Sequence, residues 1–141
     1  MKKIYIFLLI SFILIIFLLT LYIVTIARTP IVSKLIKFDK DSITYKVTNI
    51  SPVKYYYGMG DILQYKENNH WVNVKPKKEF VVQAVMLCLT EFGRGKDEIK
   101  INLKEEYGEL KSGEYRIEKI FDREEERKNY MEYKLYIYFD I

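Results

Sequence analysis

Ile4 to Ala27 is a run of 24 residues without one charged side chain, IYIFLLISFILIIFLLTLYIVTIA. As a helix rising about 1.5 Å per residue it is roughly 36 Å long, enough to cross a hydrocarbon core of about 30 Å with some tilt. Among open structures, only a helix satisfies its own backbone in lipid, so the β-branched isoleucines do not argue against it. Tyr5 and Tyr22 lie near the two ends, where aromatic rings favour the interface. The rival reading is a cleaved leader, whose apolar part usually spans only about 7–15 residues and ends at a small-x-small site. This run is longer, and Thr25-Ile26-Ala27 is its one weak match to such a site. A lipid-anchored form needs a cysteine just after the run, and the only cysteine is Cys88. The expectation is an uncleaved single-pass signal anchor at residues 4–27. Residues 1–3 are then a short cytoplasmic end, 28–37 a juxtamembrane tether and 38–141 the folded domain. The positive-inside count is nearly tied, with Lys2 and Lys3 before the span and Arg28, Lys34 and Lys37 after it. A cysteine-poor, tyrosine-rich β domain behind such a run favours the domain outside the membrane.

The net charge of +4 invites a nucleic-acid reading, so its placement matters. Met1–Lys37 holds five basic residues and no acidic one, whereas Phe38–Ile141 holds 18 basic and 19 acidic. The excess therefore flanks the apolar run, and no cluster of cations suited to a phosphate backbone is visible beyond it. Nucleic acid is disfavoured as a partner. With half the residues hydrophobic and 16% aromatic, the chain has enough apolar surface to offset ordering entropy. One cysteine and one histidine exclude an intrachain disulfide, a cysteine-based zinc site and a multi-histidine metal centre.

Beyond Phe38 the hydrophobic period is two. Ser42–Asn49 places Ile43, Tyr45 and Val47 on one face, and Asn49-Ile50-Ser51-Pro52 breaks it. Val53–Tyr57 is a short aromatic strand stopped by Gly58-Met59-Gly60, and Ile62–Lys66 with Trp71–Lys75 flanks a hairpin turn. Phe80–Leu89 is an apolar stretch carrying only Gln83 as a polar residue, either buried on both faces or bent between sheets. Glu98–Leu103 alternates with Ile99, Ile101 and Leu103 inward, and Glu114–Phe121 puts Tyr115 and Ile117 on one face. The last strand alternates most cleanly, with Met131, Tyr133, Leu135, Ile137, Phe139 and Ile141 sharing a face. Only Leu103–Leu110 has room for a helical turn. The pattern predicts an all-β, antiparallel sandwich of about seven or eight short strands behind the transmembrane helix.

Leu110-Lys111-Ser112-Gly113-Glu114-Tyr115 fits a tyrosine corner, in which a phenol turns back onto the backbone a few residues upstream. Leu110 would plug the core, Gly113 permit the turn and Tyr115 make the bond. A plain strand after a glycine turn is the simpler alternative. Together with Tyr57-Gly58 and Trp71, the segment Tyr107-Gly108-x-Leu110-x-x-Gly113-x-Tyr115-Arg116 resembles the bacterial Ig-like domain family of small extracytoplasmic Gram-positive proteins. The likeness covers roughly Ile43 to Ile141. It implies an immunoglobulin-like sandwich on the cell surface and brings no catalytic residues. The chain departs from the family in lacking a Pro-Gly turn before Ile99 and a lipid-attachment cysteine.

No catalytic constellation, cofactor loop or metal cluster stands out. Cys88 and His70 are the only nucleophile and base pair of that kind, and Cys88 falls in the apolar stretch, where a thiol is an inert packing group. Arg123 and Arg127 argue against a calcium site in Asp122-Arg123-Glu124-Glu125-Glu126-Arg127-Lys128, which reads first as a solvated loop and second as a recognition loop. Eleven of the 13 tyrosines lie beyond the anchor. The candidate interaction surface is Tyr55, Tyr56, Tyr136, Tyr138, Arg123, Glu125 and Arg127, against ordinary cross-strand aromatic packing. The expected function is non-catalytic binding of an envelope or surface protein. The alternatives are a small hydrolase with a carboxylate site and a passive spacer.

Overall fold

The computed structural model describes residues 2–77, 85–123 and 132–141. The chain divides into two compact units, Met1–Pro30 and Ile31–Ile141. The first is a single helix, α1 (Lys2–Arg28), of which Ile4–Arg28 is long and apolar enough to cross a membrane. Thr20, Thr25 and Thr29 donate their hydroxyls to the carbonyls of Ile16, Leu21 and Thr25 at 2.9, 2.9 and 3.0 Å. Their oxygens thus bring no unmet donor into an apolar setting.

The second unit is a two-layer antiparallel β structure. Its described strands are β1 (Ile31–Phe38), β2 (Ile43–Asn49), β3 (Tyr55–Tyr57), β4 (Ile62–Glu67), β5 (His70–Asn73), β6 (Leu87–Leu89), β7 (Lys96–Ile101), β8 (Glu114–Arg123) and β9 (Glu132–Asp140), with a one-turn helix α2 (Leu103–Glu106). The small sheet runs β1-β2-β7 and the large one β5-β4-β8-β3-β6, with β9 also paired to β8. β9 lines β8 from Glu114 to Asp122. The opposite edge of β8 is shared, because β4 takes Tyr115–Glu118 and β3 takes Asp122 and Arg123. β3 and β4 are therefore two pieces of one strand position, separated by Gly58-Met59-Gly60-Asp61. Between the sheets lie Ile43, Tyr45 and Val47 from β2 and Ile117, Phe121 and Ile137 from the large sheet, all buried. Aromatic rings carry much of the contact: Tyr57 meets Phe121 at 5.2 Å and Tyr115 stacks on Phe139 at 5.7 Å between centroids.

The structure corrects three expectations. Residues 28–37 are not a tether, since Ile31–Phe38 is strand β1 and Ile31 is 1% exposed. The strand hides from a period-two reading because its register shifts between Leu35 and Lys37, putting Ile31 and Phe38 on one side although their numbers differ in parity. The stretch Phe80–Leu89 yields only Leu87–Leu89 as described strand, and residues 80–84 lie outside the described residues. Cys88 is exposed, because β6 lies at the sheet edge with Leu89 turned inward and Cys88 outward opposite Tyr56. The inward series Ile99, Ile101, Leu103 holds, but Leu103 belongs to α2, whose N-terminus is capped by Asn102 accepting from the Glu105 amide at 3.2 Å.

Candidate functional site

The outer face of the large sheet carries a compact group of aromatic and basic side chains. Arg116 on β8, Trp71 on β5 and Tyr136 and Tyr138 on β9 project from the face opposite the core, as strand alternation requires. The Arg116 guanidinium lies 4.4 Å from the Trp71 ring centroid and 4.2 Å from that of Tyr136. Its Nε donates to Gln64 Oε1 at 2.6 Å. Trp71 meets Tyr138 edge-on at 5.7 Å, and Tyr136 lies 6.4 Å from Tyr138. Lys66 Nζ bonds Glu114 Oε2 at 2.5 Å along the border. Arg116 is thus held between two rings and an amide, leaving Tyr138 as the most open ring, 58% exposed.

The residues expected to form an interaction surface divide. Tyr136 and Tyr138 stand together in this group. Tyr56 faces the same side from β3 but sits near Asp122, at the other end of β8. Tyr55 is a correction: it is 6% exposed and packs its ring 6.4 Å from Tyr133 in the core. In three consecutive strand tyrosines two must share a face, and here Tyr55 and Tyr57 take the buried one. Arg123 is half-buried at the end of β8 opposite Tyr55. Glu125 and Arg127 lie outside the described residues. Leu110 is half-buried against the core, and Tyr115 Oη donates to the Lys111 carbonyl at 2.9 Å. A Cβ on Gly113 would stand 2.6 Å from Tyr65 Cε2, so the ring of Tyr65 occupies the space that glycine leaves.

A second group was not visible in the sequence. Lys119 lies on the core side of β8, 1% exposed, directly beside the Gly58–Asp61 interruption. Its Nζ contacts Asp61 Oδ1 at 3.1 Å and donates to the carbonyls of Gly58 and Gly60 at 2.7 and 3.2 Å. All three ammonium donors are thereby met. Asp61 Oδ1 also accepts from Tyr45 Oη at 3.0 Å, and its carbonyl accepts from Tyr107 Oη at 3.3 Å. Tyr57 Oη donates to Asp97 Oδ2. Burial pushes the Asp61 carboxyl above its ordinary value, against the pull of Lys119, and burial likewise raises the phenols of Tyr45 and Tyr57. Glu106, at the end of α2, is also raised, chiefly by burial.

Among the described residues these groups border a cleft of about 680 Å3, with Met59, Leu87, Ile99 and Pro76 among its apolar walls. Four carboxylates line it: Asp61, bound by Lys119 and Tyr45, Asp97, bound by Tyr57, and Glu98 and Glu106. The arrangement closes a gap in a sheet: an ammonium substitutes for the missing strand by binding the carbonyls of the loop that interrupts it. The signal in the sequence was a lone lysine at an inward position, Tyr115, Ile117, Lys119, Phe121, four residues that otherwise read as one apolar face.

No curated protein matches the chain. A crystal structure of a protein from Archaeoglobus fulgidus is similar at 11% identity, covering 79% of this chain and 94% of that one, with a TM-score of 0.33. The model of the bacterial Ig-like domain matches residues 31–135, a span that opens at the first residue of β1. With that match across two antiparallel sheets packed through a tyrosine-rich core, the chain belongs to the bacterial Ig-like domain family.

Proposed function

We propose that this protein is a membrane-anchored Ig-like module that binds a protein partner of the cell envelope, without catalysis, through the Trp71–Arg116–Tyr136–Tyr138 face. The domain stands outside the membrane and α1 holds it there. The observation that carries this reading is the sandwiched Arg116 of β8, gripped by rings from β5 and β9 on a solvent-facing sheet surface. Tryptophan, tyrosine and arginine are the side chains that concentrate binding energy at protein interfaces. A group already ordered in the free protein loses little rotamer entropy when a partner covers it. Family membership and the apolar helix support the anchored module.

The test is affinity capture from envelope extracts with the full chain in detergent, comparing wild type with Tyr138→Ala and Trp71→Ala. A partner retained by wild type and lost at least about tenfold by both variants, with unchanged circular dichroism, is the expected result. Equal capture by all three proteins removes this face from the function.

A further inference from the structure

We propose that the outer face of the small sheet is a lysine surface that rests on anionic phospholipid headgroups. The inference depends on the anchor reading of α1 and adds what the domain does beside the membrane. The face is fixed by register. Ile43, Tyr45 and Val47 of β2 point into the core, so the alternate positions of β1, β2 and β7 point out. Those outward positions carry Lys34 opposite Lys46, and Lys96 and Lys100 along β7, all exposed. Glu98, opposite Lys46, is the one carboxylate in the outward rows. Among the described residues none of these four lysines has an ion-pair partner, whereas Lys37 bonds Asp39 at 3.2 Å.

Two features make this more than a scattering of surface charge. Residues 31–141 hold 20 basic and 19 acidic side chains, so the domain is nearly neutral, whereas the outward rows of the small sheet set these four lysines against the single carboxylate of Glu98. Lys34 and Lys46 also stand directly opposite one another, a like-charge pair with Glu98 on the far side of Lys46 as its one neighbouring carboxylate in these rows. The second feature is chain length. Helix α1 ends at Arg28 and β1 begins at Ile31, a reach of about 10 Å at most. That is comparable to the thickness of the headgroup layer, about 5–8 Å on each side, and to the Debye length of about 8–10 Å over which a charged surface is felt. That reach bounds the distance from the end of the anchor to the first residue of β1, and Lys34 follows three residues later. A zwitterionic surface offers the lysines nothing, while an anionic one attracts each of them. Val32, 41% exposed on the same face, adds an apolar side chain near the start of β1.

The test uses the full chain reconstituted into phosphatidylcholine vesicles with and without phosphatidylglycerol, followed by brief lysine acetylation and peptide mass spectrometry. Lys34, Lys46, Lys96 and Lys100 are expected to react about fivefold more slowly with phosphatidylglycerol present, and raised salt should restore their rates. Lys54 and Lys111, exposed elsewhere on the domain, serve as internal references and should not change. The double variant Lys46→Glu/Lys100→Glu should abolish the slowing at Lys34 and Lys96. Equal rates in both vesicles, or uniform slowing that includes Lys54 and Lys111, would overturn the lysine surface while leaving the anchor standing. Failure of the chain to float with either vesicle would overturn the anchor and the surface together.

Discussion

Replacing Lys119 with methionine tests whether its ammonium closes the gap between β3 and β4. Methionine keeps an unbranched stem of similar length, so the packing loss is small and the charge is what changes. Removing one partner of a buried ion pair typically costs about 3–5 kcal/mol, because the other charge is left without its counterion. Two features favour the lower end. Tyr45 Oη still donates to Asp61 at 3.0 Å, and Gly58 and Gly60 are exposed, so water can reach the carbonyls that Lys119 releases. The expected loss is about 3 kcal/mol near pH 8.

The pH dependence is the sharper part. Burial already holds Asp61 above its ordinary 3.8, and without Lys119 it rises further. Between those limits the folded variant binds more protons than the unfolded chain, so its stability falls as pH rises. The deficit relative to wild type should therefore be smallest in acid and grow by up to about 1.4 kcal/mol per pH unit across that window. Urea titration of the full chain in detergent micelles measures it through the fluorescence of Trp71, the only tryptophan, to which α1 contributes nothing. A second variant, Lys119→Met/Asp61→Asn, keeps an acceptor for Tyr45 and should lose the fall in stability with rising pH that the raised Asp61 carboxyl gives the single variant. A loss below about 1 kcal/mol for the single variant, or one that is the same in acid and at neutrality, refutes the argument.

Tyr115→Phe removes the hydroxyl that reaches Lys111 and should cost about 1 kcal/mol, lowering the thermal midpoint by about 4–8 °C without unfolding the domain. An unchanged midpoint would show that the bond contributes nothing. Asn49 is fully buried, and its side chain donates to the Val53 and Leu89 carbonyls and accepts from the Ser51 amide and hydroxyl. Asn49→Ala strands several of these groups and should lower the urea-derived stability by about 3 kcal/mol, with a loss under about 1 kcal/mol counting against the network.

Strand alternation made the sandwich readable because one face of each sheet is buried and the other is wet. β9 shows it best, with Leu135, Ile137 and Phe139 inward and Tyr138 outward. The rule failed where local geometry shifts its phase. The bulge in β1 changes parity between Leu35 and Lys37, which made a strand look like a tether. Lys119 escaped for a different reason: a charged residue at an inward position reads as an end of the pattern, and its partner Asp61 lies 58 residues away in a glycine loop. Cys88 misled in the opposite direction, since an apolar neighbourhood in sequence is no guide to burial on an edge strand. The Arg116 group draws on β5, β8 and β9, and only the register between those strands brings its members together.

The shared edge of β8 has a bearing on synthesis. Lys119 reaches back 61 residues to Gly58, so β3, β4 and the loop between them leave the ribosome well before the strand that unites them. During that interval β4 has only β5 and β3 only β6 to pair with, so the strand that joins the two pieces is missing, and loop closure over such a distance is slow compared with local turns. The nascent domain is therefore most open to misassociation after the anchor has been made and before β8 arrives, and ligands or chaperones acting in that window would meet the tyrosine-rich face that the finished sandwich conceals.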